Sequence, residues 1–275
     1  MSAFKIGIPY LSGGVSKCLA WMGLLLLSLT AHAEKINIAA AADLKFALDE
    51  IIAEFPLKRS ADEVTVTYGS SGKFFTQIQH GAPFDLYFSA DIALPRTLVK
   101  SGFAASDVMP YAVGRLVLWR PHFDAAKMTL ASLTDPKVTR IAIANPQHAP
   151  YGQRAEEALR AAGVWPQIFP KLVYGENIAQ TAQFVQTGNA QVGLLALSLA
   201  LSPPLAKQGS YWLIPDTLHQ PLEQGFIITR RAANNALAHR FADYLRTPAA
   251  RTVLRSSCGS ASPRAFHPSA RFAAK

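Results

Sequence analysis

Two cysteines, Cys18 and Cys258, are too few for a disulfide framework. Cys18 falls inside an N-terminal leader, so processing leaves Cys258 alone and the fold must stand on its core. No H-E-x-x-H, C-x-x-C or G-x-S-x-G occurs, which removes the common zinc, redox and serine-hydrolase signatures. Neither G-x-G-x-x-G nor G-x-x-x-x-G-K-[ST] occurs either. The nearest approach, Gly69-Ser70-Ser71-Gly72-Lys73, lacks the spacing, so a nucleotide is disfavoured. Acidic residues are scarce, 18 against 27 lysines and arginines, for a net charge of +9. The basic residues form no run. The surplus therefore suits an anionic ligand or surface rather than nucleic acid.

The first 33 residues read as an address. Lys5 and Lys17 precede an apolar run from Cys18 to Thr30, and Ala31-His32-Ala33 is an A-x-A cleavage pattern. The run is too short and wrongly flanked for a good membrane span. No convincing lipoprotein pattern precedes Cys18, so no lipid anchor is expected. The mature chain is expected to begin at Glu34 in an exported, periplasmic protein. Removing 33 of 275 residues leaves 242 and lowers the net charge to +7, since two lysines and no acids are lost. A chain of that length buries a sizeable core as one or two domains.

Apolar strand-like runs then alternate with amphipathic helical ones. Ile36–Ala40, Val64–Tyr68 and Phe84–Phe88 read as strands. Leu44, Ala47, Leu48, Ile51, Ile52 and Phe55 make one helical face, with Asp43 at the N-cap position. Further helices are expected from about Ser71 to His80 and Leu94 to Ser101, closed by Gly81 and Gly102. After a strand at Arg115–Arg120 a second set follows: strands at 141–144, 172–174, 192–196, 212–214 and 225–229. Its helices are at 150–162 and 177–187, and a last long helix runs from Asn235 to Arg246. This alternation predicts open α/β sheets with mostly parallel strands. Such sheets bind ligands beyond the carboxyl ends of strands.

Four helix openings lie at those ends: Ala41-Ala42-Asp43-Leu44, Tyr68 to Phe74, His148 to Gly152 and Tyr174 to Ile178. A helix start carries unpaired N–H groups and partial positive charge. Four together would hold a small multivalent anion with no metal and no catalytic group. Short turns of small residues, Ala40-Ala41-Ala42 and Gly69-Ser70-Ser71-Gly72, let the backbone approach. Ser70 and Ser71 add hydroxyls, although plain helix capping is the commoner role for each taken singly.

The mature chain resembles the periplasmic molybdate-binding proteins of ABC transporters, a type II periplasmic-binding-protein family. The resemblance runs from Ile36 to about Leu254. It rests on Ala39-Ala40-Ala41-Ala42-Asp43-Leu44, Gly69-Ser70-Ser71-Gly72, the stretch Gln77 to Leu86 with its Gly81-Ala82-Pro83-Phe84-Asp85, Ser89-Ala90-Asp91, and Gly188 to Gly193. It implies two α/β lobes, each an open mixed sheet flanked by helices, with a ligand cleft between them. Lobe 1 would comprise about 34–115 plus 225–275, with a disordered tail after about 258, and lobe 2 about 116–224. The ligand implied is molybdate or tungstate, with no cofactor and no cation ligands. The partner implied is an inner-membrane ABC permease. No nucleic acid is expected, and the protein is expected to be a monomer. Carried over residue by residue, the oxyanion would meet Ala42, Asp43, Ser71, Tyr151 and Ile178. Ser70, Lys73 and Asn177 would stand behind them.

Two departures matter. Many relatives carry a ligating tyrosine at the position of Ala196, whereas here a tyrosine stands at 151, so one hydroxyl could replace another. Many have Ser, Thr or Asn in place of Asp43. An ionised carboxylate beside a dianion is repelled by several kcal/mol at an effective dielectric of about 20. Three roles stay open to Asp43. It could face away and cap its helix, pair with Lys73, or accept a bond from a protonated ligand oxygen. The last would favour a phosphate-like ligand. Phosphate or sulfate on the same fold is therefore the second reading. An exported hydrolase is a remote third, because His148, the one histidine near an opening, has no nucleophile placed beside it by a motif.

Overall fold

The computed structural model describes residues 34–57 and 61–258, with only the backbone at Ala126, Ser257 and Cys258. The leader, its cleavage site and the tail beyond 258 lie outside the described residues.

Among the described residues ten strands form two five-stranded sheets. The first sheet has the order β2-β1-β3-β10-β4. It is built from β1 (Lys35–Ala41), β2 (Glu63–Gly69), β3 (Leu86–Ser89), β4 (Met109–Gly114) and β10 (Leu222–Ile228). The second has the order β7-β6-β8-β5-β9. Its strands are β5 (Leu116–Pro121), β6 (Ile141–Ala144), β7 (Leu172–Gly175), β8 (Val192–Ala196) and β9 (Gly209–Leu213). Seven longer helices accompany them: α1 (Lys45–Glu54), α2 (Ser71–Gln79), α3 (Ala93–Lys100), α4 (Pro150–Ala161), α5 (Ile178–Gln186), α6 (Ala236–Tyr244) and α7 (Pro248–Cys258).

Each helix forms because its apolar residues fall on one face and a sheet covers that face. In α1, Ala47, Leu48 and Ile51 are buried while Asp49, Glu50 and Glu54 are exposed. With α6 and α7, α1 covers one side of the first sheet around Ile36, Ile38, Phe88 and Phe226. Phe88 and Phe226 stack across β3 and β10 with centroids 4.7 Å apart. On the other side, Phe74 and Ile78 of α2 and Leu98 of α3 bury Ala39, Tyr87 and Ile227. Gly81 and Gly102 follow their helices at φ +85° and +76°, the left-handed ending expected of them.

Three expectations need correction. The strands are not mostly parallel: β1–β2, β1–β3, β6–β7 and β6–β8 are parallel, but β10 and β5 each run antiparallel to both neighbours. These are the strands on which the chain enters each sheet from the other one. Strand β4 escapes sequence reading because Met109-Pro110-Tyr111-Ala112-Val113-Gly114 has no clean alternation, and Pro110 argues against a strand. Helix α7 lies beyond the last helix expected from the sequence. Its Ala250, Val253 and Leu254 are buried against the α1 side of the sheet, so tertiary packing makes the helix.

The two sheets meet at two connections. Only Arg115 separates β4 from β5, and residues 214–221 return the chain from β9 to β10. Arg115 Nε lies 2.9 Å from Asp216 Oδ1, so the two connections are tied side by side.

Candidate functional site

The carboxyl ends of β1, β2, β6 and β7 lead into the four openings, and the four converge. One small cavity lies between them. It is lined by Ala41, Ala42, Asp43, Gly69, Ser70, Ser71 and Ala90 of the first lobe. Ala149, Pro150, Tyr151, Asn177 and Ile178 of the second complete it. Of the eight residues picked out from the sequence, seven line this cavity, and Lys73 does not.

Local bonding decides which helix-start groups remain for a ligand. At α5, Asn177 is the N-cap and its Oδ1 accepts from the amides of Ala179 and Gln180, each at 3.0 Å. The first amide, that of Ile178, is outside that cap. At α4, Pro150 has no N–H and Gly152 donates to Ala149 O at 2.9 Å, and Tyr151 between them lines the cavity. At α2, Gly72 donates to His148 O at 2.9 Å and Phe74 to Ser70 O at 3.1 Å, and Ser71 is the residue of this first turn that lines the cavity. The Ser71 Oγ accepts the amide of Ala90 at 3.1 Å. Its own proton is therefore the part of the hydroxyl that can serve an acceptor.

The first opening differs from its expectation. Ala42–Leu44 is a 3-10 turn preceding α1, and Asp43 makes no side-chain cap. Nor does Asp43 pair with Lys73, because Lys73 Nζ is 2.5 Å from Glu176 Oε2. Asp43 is instead 1% exposed. Its Oδ2 accepts from Tyr151 Oη at 3.2 Å and from Gln224 Nε2 at 2.8 Å. Gln224 Nε2 also lies 3.2 Å from Tyr151 Oη, closing a triangle at the junction of the lobes. The hydroxyl of Tyr151 is thus committed to Asp43. Burial pushes the Asp43 carboxyl up to about 6, against the bonds from Gln224, Tyr151 and its own backbone amide that pull it down.

Gln224 and Ser198 were not legible in the sequence. Gln224 is fully buried in β10 next to the partly exposed Glu223, and nothing in Leu222-Glu223-Gln224-Gly225 marks which of the two polar side chains turns inward. The Ser198 hydroxyl donates to Asp43 O at 2.8 Å and so holds the first opening from the second lobe.

The lobes touch closely. The Ser70 hydroxyl donates to His148 O at 2.6 Å and lies 3.0 Å from His148 Nδ1. Ala41, Ala42 and Ala90 pack into the apolar core of the second lobe. Burial, followed by the charge of Lys73, holds the His148 imidazole below its ordinary value, with Glu176 opposing. Among the described residues no group of three or more His, Cys, Asp or Glu could hold a metal ion.

A cleft between two α/β lobes, walled by helix starts contributed equally by both, defines a two-lobed solute-binding protein rather than an enzyme. The chain belongs to the bacterial extracellular solute-binding proteins, whose family model matches residues 36–257. It is 38% identical to the molybdate-binding protein ModA of Rhodobacter capsulatus over 83% of this chain and 89% of that one. To ModA of Azotobacter vinelandii it is 35% identical over 90% and 98%. The solved periplasmic molybdate-binding protein of Azotobacter vinelandii superimposes with a TM-score of 0.73 at 30% identity, covering 81% of this chain and 97% of that one.

Proposed function

We propose that this protein binds a tetrahedral oxyanion, molybdate or tungstate, in the periplasm and delivers it to an inner-membrane ABC permease. The observation that carries this reading is the convergence of four helix openings, two from each lobe, on one small cavity. Relatives at 35% and 38% identity named for molybdate binding supply the anion. Molybdate and tungstate are fully deprotonated near neutral pH and offer only acceptors. The site answers with donors: the Ser71 hydroxyl and the amides of Ala42, Asp43, Ser71, Tyr151 and Ile178. Ser70 and Asn177 hold those donors in place. Lys73 acts from the rim through its pair with Glu176.

Capture and closure are one event in this reading. The first lobe presents Ala42, Asp43 and Ser71, and the anion adds the partial positive ends of α4 and α5 only when the second lobe swings in. The ligand makes more bonds in the closed form and shifts the population toward it. The permease then reads the closed shape. The basic balance of the chain favours approach of an anion. The leader expected at residues 1–33 would take the chain to the periplasm.

A second reading keeps the site and changes the ligand. Asp43 Oδ1 is buried without a partner in the cavity wall, and a protonated oxygen, as on hydrogen phosphate, would give it one. Calorimetric titration with molybdate, tungstate, sulfate and phosphate separates the two. Tight binding of molybdate and tungstate supports the first reading. Binding of phosphate alone overturns it.

A further inference from the structure

The triangle of Asp43, Tyr151 and Gln224 has too few protons. Its donors are one hydroxyl on Tyr151 and the two N–H groups of the Gln224 amide. The hydroxyl goes to Asp43 Oδ2, and the amide nitrogen is within reach of both Asp43 Oδ2 and Tyr151 Oη. Two buried acceptors then remain without a well-formed hydrogen bond, Asp43 Oδ1 and Gln224 Oε1, since the amide of Asp43 itself reaches its carboxyl only weakly. Buried acceptors are rarely left in this state. One more proton, on Asp43, supplies a donor and removes a charge from a residue that is 1% exposed.

Among the described residues no cation pairs with the Asp43 carboxyl, and Arg115, next to Gly114, is paired with Asp216. From α4 the titratable group facing Asp43 is Tyr151, already bonded to it. Gln224 of β10 and Ser198 of the 197–200 turn are neutral. The other charged or titratable groups close to the cleft are engaged elsewhere: Lys73 with Glu176, and His148 with Ser70. Arg154 of α4 lies nearest Glu157 and Asp91. Gly114 leaves the triangle its room, because a Cβ there would collide with Tyr151 Oη and approach Gln224 Nε2 to 2.8 Å. A dianion placed in the same cavity adds a strong reason for the carboxyl to be neutral.

We infer that the closed site takes up its oxyanion together with one proton, held on Asp43, with Gln224 and Tyr151 as the residues that position it. The inference rests on the proposed oxyanion binding. The balance is simple: a dianion and one proton enter, the carboxylate becomes a carboxylic acid, and the cavity gains one negative charge instead of carrying three. Binding and protonation are reciprocally linked, so affinity changes up to tenfold for each pH unit wherever the free site is ionised.

The test is calorimetry of the mature protein with sodium molybdate at pH 7.5, in buffers of differing ionisation enthalpy. The slope of observed heat against buffer enthalpy counts protons. The expected result is an uptake approaching one proton per molybdate, and affinity that rises about tenfold between pH 8 and pH 7. Asp43→Asn is expected to bind with no uptake and with affinity flat over that range. His148→Gln is expected to keep the uptake, which separates Asp43 from the cleft histidine. Molybdate binding without proton uptake in the unsubstituted protein overturns the inference and leaves the function intact. Uptake that persists in Asp43→Asn overturns it as well. An absence of any molybdate heat, with the protein folded by circular dichroism, overturns the function and this inference with it.

Discussion

Gly72 and His148 join the two lobes backbone to backbone: the amide of Gly72 donates to the carbonyl of His148 at 2.9 Å. A Cβ at Gly72 would sit 2.5 Å from that carbonyl oxygen, and the three nearest atoms all belong to His148. The closed form therefore needs glycine at 72 for close approach.

Gly72→Ala should obstruct closure while leaving each lobe folded. Overpacking of this kind costs about 1–3 kcal/mol, which is roughly 5- to 150-fold in molybdate affinity. Calorimetry gives the affinity, and circular dichroism confirms the fold. Unchanged affinity would mean that the 72–148 contact forms no part of the liganded state.

Ser71→Ala removes a hydroxyl from the cavity wall and an acceptor from the amide of Ala90. Loss of a bond to a charged ligand costs about 1.5–3 kcal/mol, or roughly ten-fold and upward in affinity. Unfolding of the ligand-free variant measures the Ala90 contribution separately. Wild-type affinity in Ser71→Ala would remove Ser71 from the binding set.

Lys73 and Glu176 form an ion pair across the mouth with side chains 42% and 45% exposed. Exposed pairs of this kind contribute about 0.2–1 kcal/mol and weaken with salt. A double-mutant cycle on Lys73→Ala and Glu176→Ala should give a coupling within that range, reduced at high ionic strength. A coupling several-fold larger would make the pair a principal element of closure.

Asp43 also sets a pH dependence of stability. Its folded pKa, about 6, lies above the ordinary 3.8, so between these values the native state binds more protons than the unfolded one. The contribution is present in full below about pH 3.8. It declines as pH rises and is lost above about 6. The difference of about two units corresponds to about 3 kcal/mol. Urea unfolding of the ligand-free protein from pH 4 to pH 8 should show Asp43→Asn gaining stability relative to the unsubstituted chain as pH rises. A constant difference between the two would contradict a buried, poorly ionised Asp43.

The architecture and the positions of the four openings were legible because both rest on local signals: apolar period, small-residue turns and glycine endings. The partners of Asp43 were not. Its neighbours lie 108 and 181 residues away at Tyr151 and Gln224, and a side chain's direction is fixed by what packs against it. Asp43 reads as a cap because aspartate at a helix start usually is one, yet here the first turn is 3-10 and the carboxyl turns to the junction of the lobes. Lys73 reads as its counter-ion by proximity in the site, but Glu176, on the opposite lip, is within 2.5 Å. Helix α7 did carry a pattern, since Ala250, Val253 and Leu254 fall at i, i+3 and i+4, but the core that this face covers is assembled from distant strands.

The most direct measurement is a crystal structure of the mature protein grown with molybdate, with the metal located by its anomalous signal. One molybdenum peak is expected between the four openings, its oxygens within about 2.7–3.2 Å of the Ser71 hydroxyl and the amides of Tyr151 and Ile178. A saturated crystal with this cavity unfilled, or with molybdate held elsewhere, would contradict the account.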